Sequence, residues 1–127
     1  MRYLILLATL NLAACVEEPV DGRTAYNANC ASCHGANGTG NGPMARGLDV
    51  TPPDLTMLAA RNGGVFPMTR VMSTIDGLDR GTHFNAAMPE FGAGDLGETV
   101  IVENEGLGTP VPMTLLALAE YLESIQQ

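Results

Sequence analysis

The stretch Cys30-Ala31-Ser32-Cys33-His34 places two thiols and an imidazole within five residues. An exported chain could join the two cysteines in a disulfide. A thioredoxin-like redox pair belongs in a βαβ context, and nothing before Cys30 has the pattern of a strand. A zinc site would need a fourth ligand, and the only other histidine in the chain is His83. The spacing therefore favours another use of these side chains.

The Cys-x-x-Cys-His pattern is the attachment signature of a c-type haem. Each thiol adds to one vinyl group of the haem, and the histidine that follows binds the iron. Two intervening residues let one helical turn bring Cys30 and Cys33 to the two vinyl groups, with His34 below the metal. The sequence thus predicts one haem, bound covalently through Cys30 and Cys33, with His34 as its first axial ligand.

Length and composition are consistent with a small domain built around a bound group. The chain has 127 residues, no Trp and 5% aromatic residues. Side chains of this kind make only a thin core, because a short chain buries a small fraction of its surface. The formal net charge is −8, and the 6 basic residues are all arginine. Binding to nucleic acid is not expected, since phosphate recognition requires clustered cations.

The N-terminal stretch is predicted to be an export signal. Residues 3–14 form an apolar run after Arg2, too short to span a bilayer but of the length found in secretory signals. The run ends in Leu12-Ala13-Ala14-Cys15, which resembles the bacterial lipobox, although its two alanines would also suit an ordinary signal peptidase. We expect residues 1–14 to be a lipoprotein signal peptide, residues 15–22 to be lipidated Cys15 with a short tether, and residues 23–127 to be the folded domain.

The residues around the Cys-x-x-Cys-His motif resemble the N-terminal helix of class I c-type cytochromes. In that family a glycine and an aromatic residue lie eight and four residues before the first cysteine, where this chain has Gly22 and Tyr26. The family's C-terminal helix crosses this helix with an apolar and an aromatic residue three apart, which Leu118 and Tyr121 match. The resemblance covers residues 22–125 and implies an all-α fold, with crossing terminal helices and loops that enclose one haem.

Periodicity predicts the helices without reference to the family. Apolar residues recur at three- and four-residue intervals near the C-terminus, at Leu115, Leu118, Leu122 and Ile125. Shorter helices are predicted at residues 54–61 and 67–76, each placed between a proline and a glycine-rich stop.

The stretch 92–109 departs from the compact family pattern. It is rich in glycine and glutamate, and it contains the β-branched run Thr99-Val100-Ile101-Val102. We therefore expect a small β-hairpin at about residues 98–111. Such an insertion could shield the haem, form a surface on which a partner docks, or simply decorate the surface.

The second axial ligand is expected to be a methionine, because a thioether stabilises the reduced iron of an electron carrier. Met88 lies directly before Pro89, with Phe91 and Gly92 following. This resembles the family's distal motif, in which Met-Pro is followed by an aromatic residue and a glycine. The rival ligand is His83, which would give a bis-histidine haem of low potential.

The glycine-rich stretch 35–43 predicts a tight loop after His34. In the resembled family this loop encloses the histidine side of the haem, and a proline carbonyl in it accepts the Nδ1 proton of the haem-binding histidine. Pro43 is the candidate for that role. The cations available for the haem propionates are Arg46, Arg61, Arg70 and Arg80.

The implied function is electron transfer by a single haem, without substrate chemistry, in a respiratory-type carrier rather than an enzyme. The lipid on Cys15 would anchor it in the bacterial cell envelope, facing the periplasm. Its charge predicts redox partners with basic or neutral docking surfaces, and a monomer is expected. The alternatives are a haem subunit of a larger exported oxidoreductase and a gas sensor or enzyme with an open sixth iron position.

Overall fold

The structure, a computed structural model, describes residues 20–79, 88–104 and 106–127. The helices in these ranges are α1 (Gly22–Asn29), α2 (Ala31–His34), α3 (Leu58–Arg61), α4 (Met68–Asp76) and α5 (Met113–Ser124). Single 3₁₀ turns lie at Ala45–Gly47, Leu55–Met57 and Phe91–Ala93. The strands β1 (Thr99–Asn104) and β2 (Leu107–Pro112) form an antiparallel hairpin. The fold is therefore mostly helical, as expected.

Several predicted features lie outside the described residues. They are the signal peptide at residues 1–14, the lipidation site Cys15, the alternative ligand His83 and the cation Arg80. These remain predictions. Among the described ranges, no helix combines the length and the apolar character needed to cross a membrane.

The start of α1 is fixed by a side-chain cap. The carboxylate of Asp21 accepts a hydrogen bond from the backbone N–H of Thr24 at 3.0 Å. The hydroxyl and N–H of Thr24 hold the pKa of Asp21 below its ordinary value. At the other end, the N–H of Cys30 donates to the carbonyl of Tyr26 at 2.8 Å. The short helix α2 follows at once, so that α1 determines where the Cys-x-x-Cys-His segment lies.

The terminal helices α1 and α5 cross at Gly22, which confirms the predicted crossing. A Cβ atom at Gly22 would overlap the carbonyl oxygen of Ala117 and press on the Cβ of Tyr121. Glycine alone therefore lets the two backbones approach this closely. The rings of Tyr26 and Tyr121 lie 5.1 Å apart between centroids, and Leu118 is fully buried beside them.

We expect Gly22→Ala to lower the free energy of unfolding by about 1–3 kcal/mol, the usual cost of forcing an atom into a packed contact. Thermal unfolding of the haem-loaded protein, followed by far-UV circular dichroism, measures this change. Gly47→Ala is the matched control, because a Cβ at Gly47 meets nothing within 4 Å. Equal stability of the two variants would contradict the close approach at Gly22.

The remaining elements pack around α5. Its apolar face buries Leu115, Leu118 and Leu122, as the periodicity predicts. The inward residues of α4, Val71 and Ile75, join the same core, and α4 ends at Gly77 in the left-handed conformation, with φ of 103°.

The predicted helix at 54–61 begins as a 3₁₀ turn before α3. Here the Asp54 carboxylate accepts from the N–H of Thr56 at 2.9 Å, which caps the turn.

The hairpin at about 98–111 is confirmed. Val100 lies opposite Val111, and Ile101 lies opposite Pro110. Val111 is buried against the core, whereas Ile101 faces solvent. The hairpin thus rests on the start of α5 with one face and exposes the other.

Candidate haem site

A cavity of about 480 Å³ lies beside the Cys-x-x-Cys-His segment. Its walls come from the helices α1 to α5 and from the loops that contain residues 48–55 and 88–91. Buried apolar side chains make much of the wall, among them Val71, Ile75, Leu118 and Leu122. Cofactor sites have volumes of roughly 300–1,000 Å³ and are predominantly apolar. The cavity therefore has the size and lining of a site for an organic cofactor.

Cys30 and Cys33 line this cavity as free thiols. The structure does not join them, so the disulfide alternative is not supported. Burial, with a smaller contribution from Cys33, raises the pKa of Cys30 to about 11. The Cys30 side chain is therefore an S–H group at neutral pH, the form whose hydrogen and sulfur add across a vinyl double bond.

The imidazole of His34 lines the same cavity at the end of α2. Its backbone N–H donates to the carbonyl of Cys30 at 2.9 Å. Nδ1 of the ring lies 3.4 Å from the carbonyl oxygen of Pro53, to which it donates a long hydrogen bond. A proton on Nδ1 leaves Nε2 as the nitrogen that can bind iron. Burial lowers the pKa of His34, and the Pro53 carbonyl partly opposes this shift.

The carbonyl at Nδ1 of His34 belongs to Pro53 and not to Pro43, which corrects the sequence prediction. Pro43 is exposed and does not line the cavity. The loop before it folds back along α2, because the N–H of Gly42 donates to the carbonyl of Cys33 at 3.1 Å. The backbone on both sides of Pro43 is hydrogen-bonded to α2, and the carbonyl that reaches the ring belongs to Pro53.

Tyr26 has a role at the site that the sequence did not indicate. Its hydroxyl donates a buried hydrogen bond of 2.7 Å to the carbonyl of Gly35, directly after His34. The bond fastens the start of the glycine loop to α1. Burial raises the pKa of Tyr26 to about 12, with a smaller contribution from the Cys30 thiol before it is joined to the haem.

We expect Tyr26→Phe to lower the free energy of unfolding by about 1–3 kcal/mol at pH 7, because the Gly35 carbonyl loses its buried donor. The pKa of Tyr26 is higher in the folded chain than the value of about 10 expected for an unfolded one. Folding therefore favours the protonated hydroxyl. The contribution of this hydroxyl to the free energy of unfolding is complete below pH 10 and is lost as the pH rises towards 12.

Denaturant unfolding at a series of pH values measures this effect. The wild-type protein is expected to lose more stability between pH 10 and 12 than Tyr26→Phe does. Parallel loss in both proteins would contradict the assignment to Tyr26.

Met88, Pro89 and Phe91 line the cavity that His34 also lines. The 3₁₀ turn Phe91–Ala93 holds this loop against the end of α4, where a Cβ at Gly92 would overlap the carboxylate of Asp76. The structure thus brings together the two residues that the sequence selected as axial ligands. Within residues 20–79, 88–104 and 106–127, no group of three or more His, Cys, Asp or Glu side chains could hold a metal ion.

Of the three candidate cations that the structure describes, two lie at the cavity. Arg61 and Arg70 line it, with Asn62 and Thr74 beside them. The guanidinium of Arg61 donates to the carbonyl of Asp54 at 2.8 Å. Arg46 does not line the cavity. Arg61 and Arg70 are therefore the described arginines positioned to neutralise carboxylates of a bound cofactor.

The hairpin does not take part in the cavity. None of the residues of β1 or β2 that the structure describes lies in its wall. Of the roles considered for the insertion, shielding the haem is not supported by the described residues.

The cytochrome c family model matches residues 19–96, more than half of the chain. The chain therefore belongs to the cytochrome c family, and it carries one haem c attached through Cys30 and Cys33. Haem-based electron transfer is the general function of this family. No curated protein and no solved structure matched the chain.

The residues present fit this cofactor. Two thiols, one imidazole with Nδ1 already donating and an apolar wall meet at one cavity. When bound, the haem supplies a one-electron couple between ferrous and ferric iron. Cys30 and Cys33 would hold the haem, the Pro53 carbonyl orients His34, and buried Leu118 forms part of the apolar wall.

Proposed function

We propose that this protein is a membrane-tethered electron carrier in which Met88 binds the haem iron as the second axial ligand. The supporting observation is that Met88 and His34 line one cavity. A thioether is a soft ligand that favours ferrous iron and raises the reduction potential. With both axial positions filled, the iron exchanges electrons without binding a substrate.

The surroundings of the cavity favour repeated electron exchange. The apolar wall keeps the dielectric constant around the cofactor low, so that little solvent has to reorient when its charge changes. Pro89 restricts the backbone of Met88 to extended conformations and stiffens the loop that presents the sulfur. Potentiometric titration tests the carrier directly. One reversible one-electron wave at the positive potential typical of His–Met ligation supports it, and a low potential typical of bis-histidine ligation contradicts it.

The proposal of a membrane tether rests on the sequence at Cys15, where the N-terminal apolar run ends in a motif that resembles a lipobox. Six residues, 16–21, separate Cys15 from the start of α1 at Gly22, so these two residues lie at most about 25 Å apart. A lipid on Cys15 would thus hold the domain close to the membrane, in the bacterial envelope and facing the periplasm. It would also raise the effective concentration of the carrier beside membrane-bound partners.

Substitution of Cys15 tests the tether. We expect wild-type protein, made in bacteria fed an alkyne-labelled fatty acid, to take up the label and to sediment with membranes. Cys15→Ser is expected to lose the label and to appear in the soluble periplasmic fraction with its haem intact. Val16→Ser is the matched control and should behave as wild type. An unlabelled wild-type protein would contradict the proposal.

A haem subunit of a larger exported oxidoreductase is the second candidate. The hairpin favours it, because Ile101 and Leu107 are 66% and 73% exposed. A lasting complex requires apolar surface of this kind.

A further inference from the structure

The two open edges of the hairpin differ in their ability to bind another strand. Pro110 and Pro112 lie opposite Ile101 and Thr99. Proline has no N–H, so these two pairs cannot be hydrogen-bonded pairs of the ladder, and the bonded pairs alternate with them. The open edge of β2 therefore lacks two of its outward donors, which is how edge strands are commonly blocked.

The open edge of β1 has no such block. Since Thr99 and Ile101 are in non-bonded pairs, their N–H and C=O groups point away from β2, as do those of Glu103. Within the described part of the chain, no backbone hydrogen bond reaches these outward groups. The strand is rich in β-branched residues, which favour an extended conformation.

The part of the sequence that contains the hairpin carries charge of one sign only. Residues 88–127 contain no Lys or Arg. The acidic residues of the same segment are Glu90, Asp95, Glu98, Glu103, Glu105, Glu120 and Glu123. On β1 itself, exposed Glu103 lies on the same face as Ile101, two residues away. A strand that pairs here meets an apolar side chain beside a carboxylate.

We propose that the edge of β1 binds an extended, basic segment of a partner protein as a third antiparallel strand. The segment places an apolar residue opposite Ile101 and an Arg or Lys opposite Glu103. Backbone bonds to the outward groups of Thr99, Ile101 and Glu103 supply the attraction, and the two facing side chains supply the selectivity.

The site is separate from the haem cavity, because no described residue of β1 or β2 lies in the cavity wall. The proposal does not rest on the electron-carrying function, and the two can fail independently. A second copy of this chain is disfavoured as the occupant, because its own acidic segment would face Glu103.

The probe is a synthetic, terminally capped peptide, Thr-Arg-Thr-Val-Thr-Thr-Lys, whose arginine and valine would lie opposite Glu103 and Ile101. It is titrated into ¹⁵N-labelled, haem-loaded protein and followed by amide chemical shifts. We expect the largest shifts at Thr99, Ile101 and Glu103. Two control peptides are expected to bind at least about fivefold more weakly. One has Glu in place of Arg and loses the ion pair, and the other is N-methylated at Val and loses one backbone hydrogen bond.

Two variants test the strand itself. Ile101→Pro removes one outward N–H donor of β1 and no donor to β2. We expect this variant to bind the peptide that contains arginine about tenfold or more weakly than the wild type does. Ile101→Thr keeps the donor and should bind within about threefold of wild type. The visible spectrum and the circular dichroism of each variant show whether the domain remains folded.

Three results would overturn the proposal. The first is an absence of shifts at β1 with the arginine peptide. The second is equal binding of the N-methylated peptide, which would show that backbone pairing is not used. The third is self-association of the wild-type protein in sedimentation velocity that Ile101→Pro abolishes, which would make a second copy the occupant.

Discussion

Replacing Met88 with alanine is expected to open the sixth position of the haem iron. The methyl side chain of alanine cannot reach a metal, so the iron loses its soft ligand and the stabilisation of its ferrous form. We expect the reduction potential to fall by on the order of 0.1 V or more, within the range over which axial ligands tune haem. The ferrous protein should also bind carbon monoxide, which the wild type should not.

Met72→Ala is the matched control for this experiment. Met72 packs against the core but does not line the cavity. Met72→Ala should change the free energy of unfolding. It should leave the reduction potential and the response of the spectrum to carbon monoxide unaltered. An unchanged spectrum in Met88→Ala would reject Met88 as the ligand, and His83→Ala would then be the variant that opens the iron.

Removing both attachment thiols, in Cys30→Ala with Cys33→Ala, is expected to abolish covalent haem and most of the fold. Only eight hydrophobic residues are buried in the described core, and several of them face the cavity. At about 24 cal/mol per Å³, an empty cavity of about 480 Å³ would cost up to on the order of 10 kcal/mol. This is comparable to the entire stability of a typical domain.

Haem staining after denaturing electrophoresis and far-UV circular dichroism measure the two effects. The single variant Cys33→Ala retains one thioether and is expected to keep part of the haem and of the helix. Cys15→Ser, in which both thioethers remain, serves as the control for loss of a cysteine. A double variant with wild-type helix content and no haem would show that the chain makes its core without the cofactor.

Local patterns in the sequence account for the parts of the fold that could be predicted. Gly22 and Tyr26 lie one turn apart on α1, and Leu118 lies on the apolar stripe of α5, so that helical periodicity determines which faces meet. The hairpin follows from a β-branched run between glycines. The Cys-x-x-Cys-His motif is confined to five residues, and its chemistry does not depend on distant parts of the chain.

The features that could not be predicted depend on how loops return to the site. The proline at Nδ1 of His34 is Pro53 because the glycine loop folds back on α2 and the chain approaches the ring later. The hydrogen bond from Tyr26 to Gly35 joins two elements whose relative position is not encoded locally. The choice of Arg61 and Arg70 over Arg46 likewise follows from the path of the loops between α2 and α4.

The visible spectrum of the haem-loaded wild-type protein tests the central claim most directly. It is recorded in the ferric and ferrous states, with and without carbon monoxide. Ligation by His34 and Met88 predicts a low-spin ferrous spectrum that carbon monoxide does not change, together with the weak far-red ferric band of a methionine–iron bond. A high-spin spectrum, or ready binding of carbon monoxide, would mean an open iron and would contradict the carrier.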